Sequence, residues 1–109
     1  MKPTHEIVTR EGLVDLLKEH GFEEWLSSPK SPVITLRRYA EDQKKYTLCI
    51  VFPTSSDDPR KCAGFAGMGC AEAGKPVGAN FVVSYGTATY GQLYREMHEN
   101  IEPHCGKII

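Results

Sequence analysis

Asp57-Asp58-Pro59-Arg60-Lys61-Cys62-Ala63-Gly64-Phe65-Ala66-Gly67-Met68-Gly69-Cys70-Ala71-Glu72-Ala73-Gly74-Lys75-Pro76 is the stretch on which the fold turns. Its ends carry helix punctuation: Asp58 suits an N-cap, Pro59 the first helical position, Gly74 the turn past the end, and Pro76 the stop beyond it. Three interior glycines argue the other way, each costing a helix about 1 kcal/mol against alanine. Punctuation and alanines outweigh them, and the reading is a helix over 59–73. No residue from Cys62 to Ala71 is charged, and a helix apolar on every side is a buried one. Ala63, Ala66, Gly67 and Cys70 are small enough to let it approach a neighbour closely. Gly67→Leu is then expected to overpack the fold and destabilise it by more than about 1 kcal/mol.

Upstream of this stretch lie two segments rich in β-branched and aromatic residues, Val33 to Ala40 and Tyr46 to Phe52, joined by the short polar run Glu41 to Lys45. They predict an antiparallel hairpin. Pairing Ile34 with Phe52, Leu36 with Ile50 and Arg38 with Leu48 gathers most of the large apolar groups on one face, the criterion that sets register when one face is buried. Thr35, Arg37, Tyr39, Thr47, Cys49 and Val51 then face outward, and Arg38 reaches the rim near the turn. Before the hairpin, Thr9 reads as the N-cap of a helix over 9–20, with Val8 stapled against Leu13. Leu13, Leu16, Leu17 and His20 share one face of it, and Gly21 stands where helices take a left-handed C-terminal turn that Phe22 closes. Phe22, Trp25 and Leu26 form an apolar anchor before the loop Ser27 to Pro32.

Downstream, Ala79 to Tyr85 reads as a third strand. Thr89 and Gln92 have capping-box spacing, and Tyr90, Leu93, Tyr94, Met97 and Ile101 recur on one helical face, giving a helix over 89–101. The tail Glu102 to Ile109 ends in two isoleucines. The expected fold is therefore α+β, a small single-domain sandwich over 1–109. Its order is α-β-β-α-β-α, with a mixed three-stranded sheet and helices mainly on one face. The last two strands are parallel through a right-handed crossover.

With 109 residues, 40% apolar and 25% charged, the chain excludes collagen-like, coiled-coil, disulfide-scaffold and wholly disordered classes. The charge-free run from Pro76 to Tyr94 is too polar to span a membrane. No apolar signal core follows Met1, so a cytoplasmic chain is the expectation. Cys49, Cys62, Cys70 and Cys105 are accordingly read as reduced packing residues. Net charge is −1, distributed as −3 over 1–29, +3 over 30–75 and −1 over 76–109.

Gly69-x-x-x-x-Gly74-Lys75 follows the phosphate-loop pattern until Pro76 replaces the Ser or Thr that holds magnesium. Pro76 also lacks the N–H such a loop aims at phosphate. His98, His104 and Cys105, with Cys62 or Cys70, lack the paired spacing of zinc ligands. No cofactor, metal or catalytic set is therefore assigned. Cys62 in a first helical turn beside Arg60 and Lys61 leaves a cysteine or histidine enzyme as the alternative class. The stronger candidate is a basic surface made of Arg37, Arg38, Tyr39, Lys44, Lys45, Arg60 and Lys61. Such a surface suits a protein partner with an acidic patch. Nucleic acid ranks behind that, since no RNA-binding strand motif is present. The functional expectation is a non-enzymatic binding or regulatory domain.

Overall fold

Phe65, Gly67, Gly69 and Ala71 alternate with Ala66, Met68 and Cys70, and that period of two governs the architecture. The computed structural model describes residues 9–25, 30, 32–53, 64–86 and 88–108. Helix α1 (Arg10–Glu19) is followed by strands β1 (Glu23–Glu24), β2 (Ile34–Tyr39), β3 (Lys45–Val51), β4 (Phe65–Glu72) and β5 (Lys75–Ser84). The chain ends in α2 (Tyr90–Glu96), a π-helical turn (Met97–Ile101) and α3 (Glu102–Cys105). The five strands form one antiparallel meander in the order β1-β2-β3-β4-β5. The class is α+β, but the mixed three-stranded sheet and the α-β-β-α-β-α order are overturned. β4 lies between β3 and β5 and pairs antiparallel with both, so no helical crossover joins those two strands and they are not neighbours.

The helix expected over 59–73 is corrected by β4 and its hairpin to β5; the part before Gly64 lies outside the described residues. Ala73 and Gly74, at φ 53° and 80°, make the two-residue turn between them, where both central residues of a type I′ turn need positive φ. Gly74 thus ends a strand, whereas the sequence reading made it a helix stop. Alternation also resolves the glycine cost. In β4 the glycines occupy one face only, and Ala66, Met68 and Cys70 on the other are buried.

The β2–β3 hairpin forms, with a register one residue from the expected one: Ile34 faces Val51, Leu36 faces Cys49 and Arg38 faces Thr47. A one-residue slip moves a whole strand face. Thr47, Cys49 and Val51 therefore point into the core, and Tyr46, Leu48 and Ile50 point out. The turn explains the slip. Gln43 takes φ 61°, Ala40 N–H donates to the Lys45 carbonyl at 2.8 Å, and Asp42 Oδ1 accepts from Lys44 N–H at 2.8 Å and Lys45 N–H at 3.2 Å.

α1 begins where expected, with the Thr9 hydroxyl accepting from Gly12 N–H at 2.9 Å; Val8 lies outside the described residues. It ends as expected: Gly21 at φ 91° and Phe22 donate back to Lys18 and Leu17, satisfying two terminal carbonyls. The Thr89–Gln92 capping box opens α2. The helical run continues past 101 because the π turn absorbs Pro103: Glu102 N–H bonds Met97, the wider repeat that relieves a helix of proline's missing donor. Leu13, Leu16 and Leu17 of α1, and Leu93, Met97 and Ile101 of the C-terminal helices, pack with Leu36, Cys49, Val51, Met68 and Phe81 in one core. Each fully buried large apolar side chain contributes roughly 1.5–3 kcal/mol.

Cys70 and Cys105 form a disulfide, with Cα atoms 6.3 Å apart, within the span such a bond bridges. This corrects the reading of both as reduced: the antiparallel ladder brings Cys70 under α3, a neighbour that a helical Cys70 never meets. Cys49 is free and buried, and Cys62 lies outside the described residues. Among the described residues, no helix is long and apolar enough to cross a membrane.

Candidate functional site

Among the described residues the core helices all meet one face of the sheet and leave the other open. Strand alternation puts Thr35, Arg37 and Tyr39 of β2, Tyr46, Leu48 and Ile50 of β3, Gly67, Gly69 and Ala71 of β4, and Asn80 and Val82 of β5 on that open face. Missing side chains on β4 lower the middle of the sheet. The result is a groove of about 510 Å³ with Trp25, Tyr46, Leu48 and Ile50 on one side and Asn80 and Val82 on the other. Its size is that of a ligand or side-chain pocket. A Cβ built on Gly67 meets no atom within 4 Å, so the groove is real space above that residue.

One end of the groove is aromatic. The Trp25 backbone N–H donates to the Thr35 carbonyl at 2.7 Å, which fixes the main chain at Trp25 beside β2. Its ring meets Tyr46 edge-on at 6.1 Å, and Tyr39 meets Tyr46 at 5.5 Å. The Arg37 guanidinium lies 4.4 Å from the Trp25 ring centre and 4.7 Å from that of Tyr39. Cation–π attraction of this kind is worth about 0.5–2 kcal/mol, and it holds the cation in place. Among the described residues Arg37 makes no ion pair, although Glu23 stands opposite it in the ladder.

Comparison with protein-family models, curated proteins and solved structures found no match. The site must be read from its own chemistry.

Of the seven residues singled out from the sequence, Arg37 and Tyr39 share the open face. Arg38 points to the opposite side, where its side chain runs along Gly21 at the end of α1. Lys44 is exposed and Lys45 half-buried at the hairpin turn, beside the exposed Glu41 and Asp42. Backbone N–H groups of Lys44 and Lys45 hold the Asp42 carboxyl below its ordinary range. The turn is thus a mixed-charge end rather than a basic one. Lys45 instead borders a second depression with His104 and Lys107. Arg60 and Lys61 lie outside the described residues.

Trp25, Tyr46, Gly67, Gly69 and Val82 are the site residues that sequence reasoning missed. The alternation of small and larger residues along 65–71 was the available signal. For the alternative chemistry, burial pushes the Cys49 thiol up to about 12, far from a reactive thiolate. Among the described residues no three His, Cys, Asp or Glu groups converge as metal ligands. His98 Nδ1 instead lies 2.5 Å from Glu102 Oε1, and Glu102 also accepts from Ile108 N–H at 2.8 Å, which ties the chain end to its own helix.

Proposed function

We propose that this chain is a non-enzymatic binding domain that engages a protein partner through the open face of its sheet. An extended segment of the partner lays aliphatic side chains into the groove above Gly67 and Gly69, with an acidic residue against Arg37. The observation that carries this reading is the pairing of an apolar groove with an aromatic-clamped cation at its end. Apolar contact supplies affinity, since about 25 cal/mol accrues per Å² of apolar surface removed from water. The charge sets direction, because an aliphatic segment alone binds in either orientation. The clamped guanidinium is already ordered, so less side-chain entropy is lost on binding than for a free arginine.

The test is selection of a displayed random-peptide library on the intact chain. Enriched sequences are expected to combine alternating aliphatic residues with one Asp or Glu, and their binding is expected to fall at least tenfold with Arg37→Glu or Gly67→Leu. Lys44→Glu, away from the groove, should leave it unchanged. Peptides that bind the Arg37→Glu and Gly67→Leu variants as well as the parent would refute the reading. So would a uniform, steeply salt-dependent affinity for unrelated nucleic acids.

A further inference from the structure

Among the described residues the sheet has two edges of different character. One is β1, two residues long and made of two exposed glutamates, a short charged edge of the kind that resists pairing. The other is β5, ten residues long. Its first turn is guarded by Lys75 and Pro76, and Gly78 at φ 81° breaks the ladder beneath the His104 ring. Residues 80–84 beyond it carry no charge.

Backbone direction along this edge follows from the ladder. Phe52 N–H donates to the Phe65 carbonyl, so Phe65, Gly67 and Gly69 turn their polar groups toward β3, while Ala66 and Met68 turn theirs toward β5. Their partners Val83 and Phe81 answer them. The N–H and C=O of Asn80 and Val82 therefore point away from the sheet. Val82 is also the most exposed large apolar residue among those described, at 66%.

We propose that the β5 edge pairs antiparallel with the same edge of a second copy of this chain, joining two five-stranded sheets into one of ten strands. With Val82 opposite its own copy, the two Val82 residues exchange both of their outward backbone hydrogen bonds, and their side chains cover each other on the open face. Asn80 and Phe81 then stand opposite Ser84 and Val83 of the other copy; the Ser84 carbonyl is already taken by Ala88 N–H at 3.0 Å, so the Val82 pair supplies the exchanged backbone hydrogen bonds. The register is self-complementary and brings no like charges together in the strand pair. Gln92 and Glu96 of α2 border the edge on the helix side. Glu96 accepts from Asn100 at 2.6 Å, directed along its own helix. A second copy, rather than an open chain of copies, follows from the asymmetry of the edges: pairing consumes the long edge, and the short acidic edge of β1 offers no continuation.

Sedimentation velocity on the full chain tests the proposal. The parent is expected to sediment as a dimer at micromolar concentration. Val82→Pro removes an outward N–H and fixes φ, a change edge strands tolerate, and is expected to give a monomer with an unchanged circular dichroism spectrum. Val82→Lys, at an exposed position, places two positive charges on the two-fold axis and reads the same interface should the proline variant fail to fold. Val82→Cys is expected to cross-link to its copy in oxidised glutathione, whereas Ser84→Cys alone is not. A monomeric parent overturns the proposal, as does a dimer that both the proline and lysine variants leave intact.

Discussion

Gly67→Leu separates the strand from the helix at the position that decides the fold. A buried helix would be overpacked by leucine and lose more than about 1 kcal/mol. In the sheet the sign reverses. Gly67 is not at positive φ, and its missing Cβ would meet nothing within 4 Å. Replacing a mid-strand glycine relieves roughly 0.5–1 kcal/mol of backbone entropy. The new side chain lies between Ile50 on β3 and Val82 on β5, and each cross-strand pair contributes about 0.2–1 kcal/mol. A net gain of roughly 1–2 kcal/mol is expected, with the melting temperature rising by about 4–8 °C per kcal/mol in a domain near this size. Urea unfolding of parent and variant measures it, and binding of the selected peptides should fall as the groove fills. A variant less stable than the parent by more than about 1 kcal/mol would refute the open-face argument. Gly64→Ala is the internal control. A Cβ there falls inside the ring of Tyr85, whose hydroxyl donates to the Phe52 carbonyl, so this much smaller change should destabilise.

The Cys70–Cys105 bridge closes a sequence separation of 35 residues, for which the chain-entropy relation gives about 4 kcal/mol. Urea midpoints with and without a strong reductant should differ accordingly, and identical midpoints would dismiss the bridge as a stabiliser. Ile50→Asp and Val51→Asp test the register: the first places a carboxylate on the open face at small cost, while the second buries an unpaired charge and should prevent cooperative unfolding altogether. Melting curves that rank the two the other way would restore the pairing of Ile34 with Phe52. With its thiol pushed up to about 12, Cys49 should resist alkylation at pH 8 until the chain unfolds. Because the folded state keeps this proton where the unfolded state releases it, its contribution is full below the unfolded pKa and is lost as pH rises from about 9 toward 12. Rapid labelling of the folded chain at pH 8 would contradict that burial.

Local chemistry carried much of the chain's plan. Thr9 and Gly21 bound α1, and the Thr89–Gln92 box opens α2, because caps are satisfied within a few residues and need no distant partner. Both hairpin strands at 33–52 were also legible, as was the outward projection of Arg37 and Tyr39, since alternation along β2 alone decides it. Three features required the folded chain. The segment from Phe65 to Pro76 has proline, glycine and alanine placed to suit either a helix or a hairpin, and only pairing with β3 selects the strand. Register was misread because apolar Leu48 and Ile50 competed with Cys49 and Val51 for the core. The turn, with Gln43 in the left-handed region and Asp42 binding two N–H groups, decided between them. The aromatic clamp on Arg37 joins residues from three segments, Trp25, Arg37 with Tyr39, and Tyr46, and no spacing in the chain announces it. Sequence by itself determined where α1 and α2 begin and which residues of the β2–β3 hairpin alternate. Tertiary structure decided which alternating face is buried, because that choice rests on long-range pairings whose free energy no single segment contains.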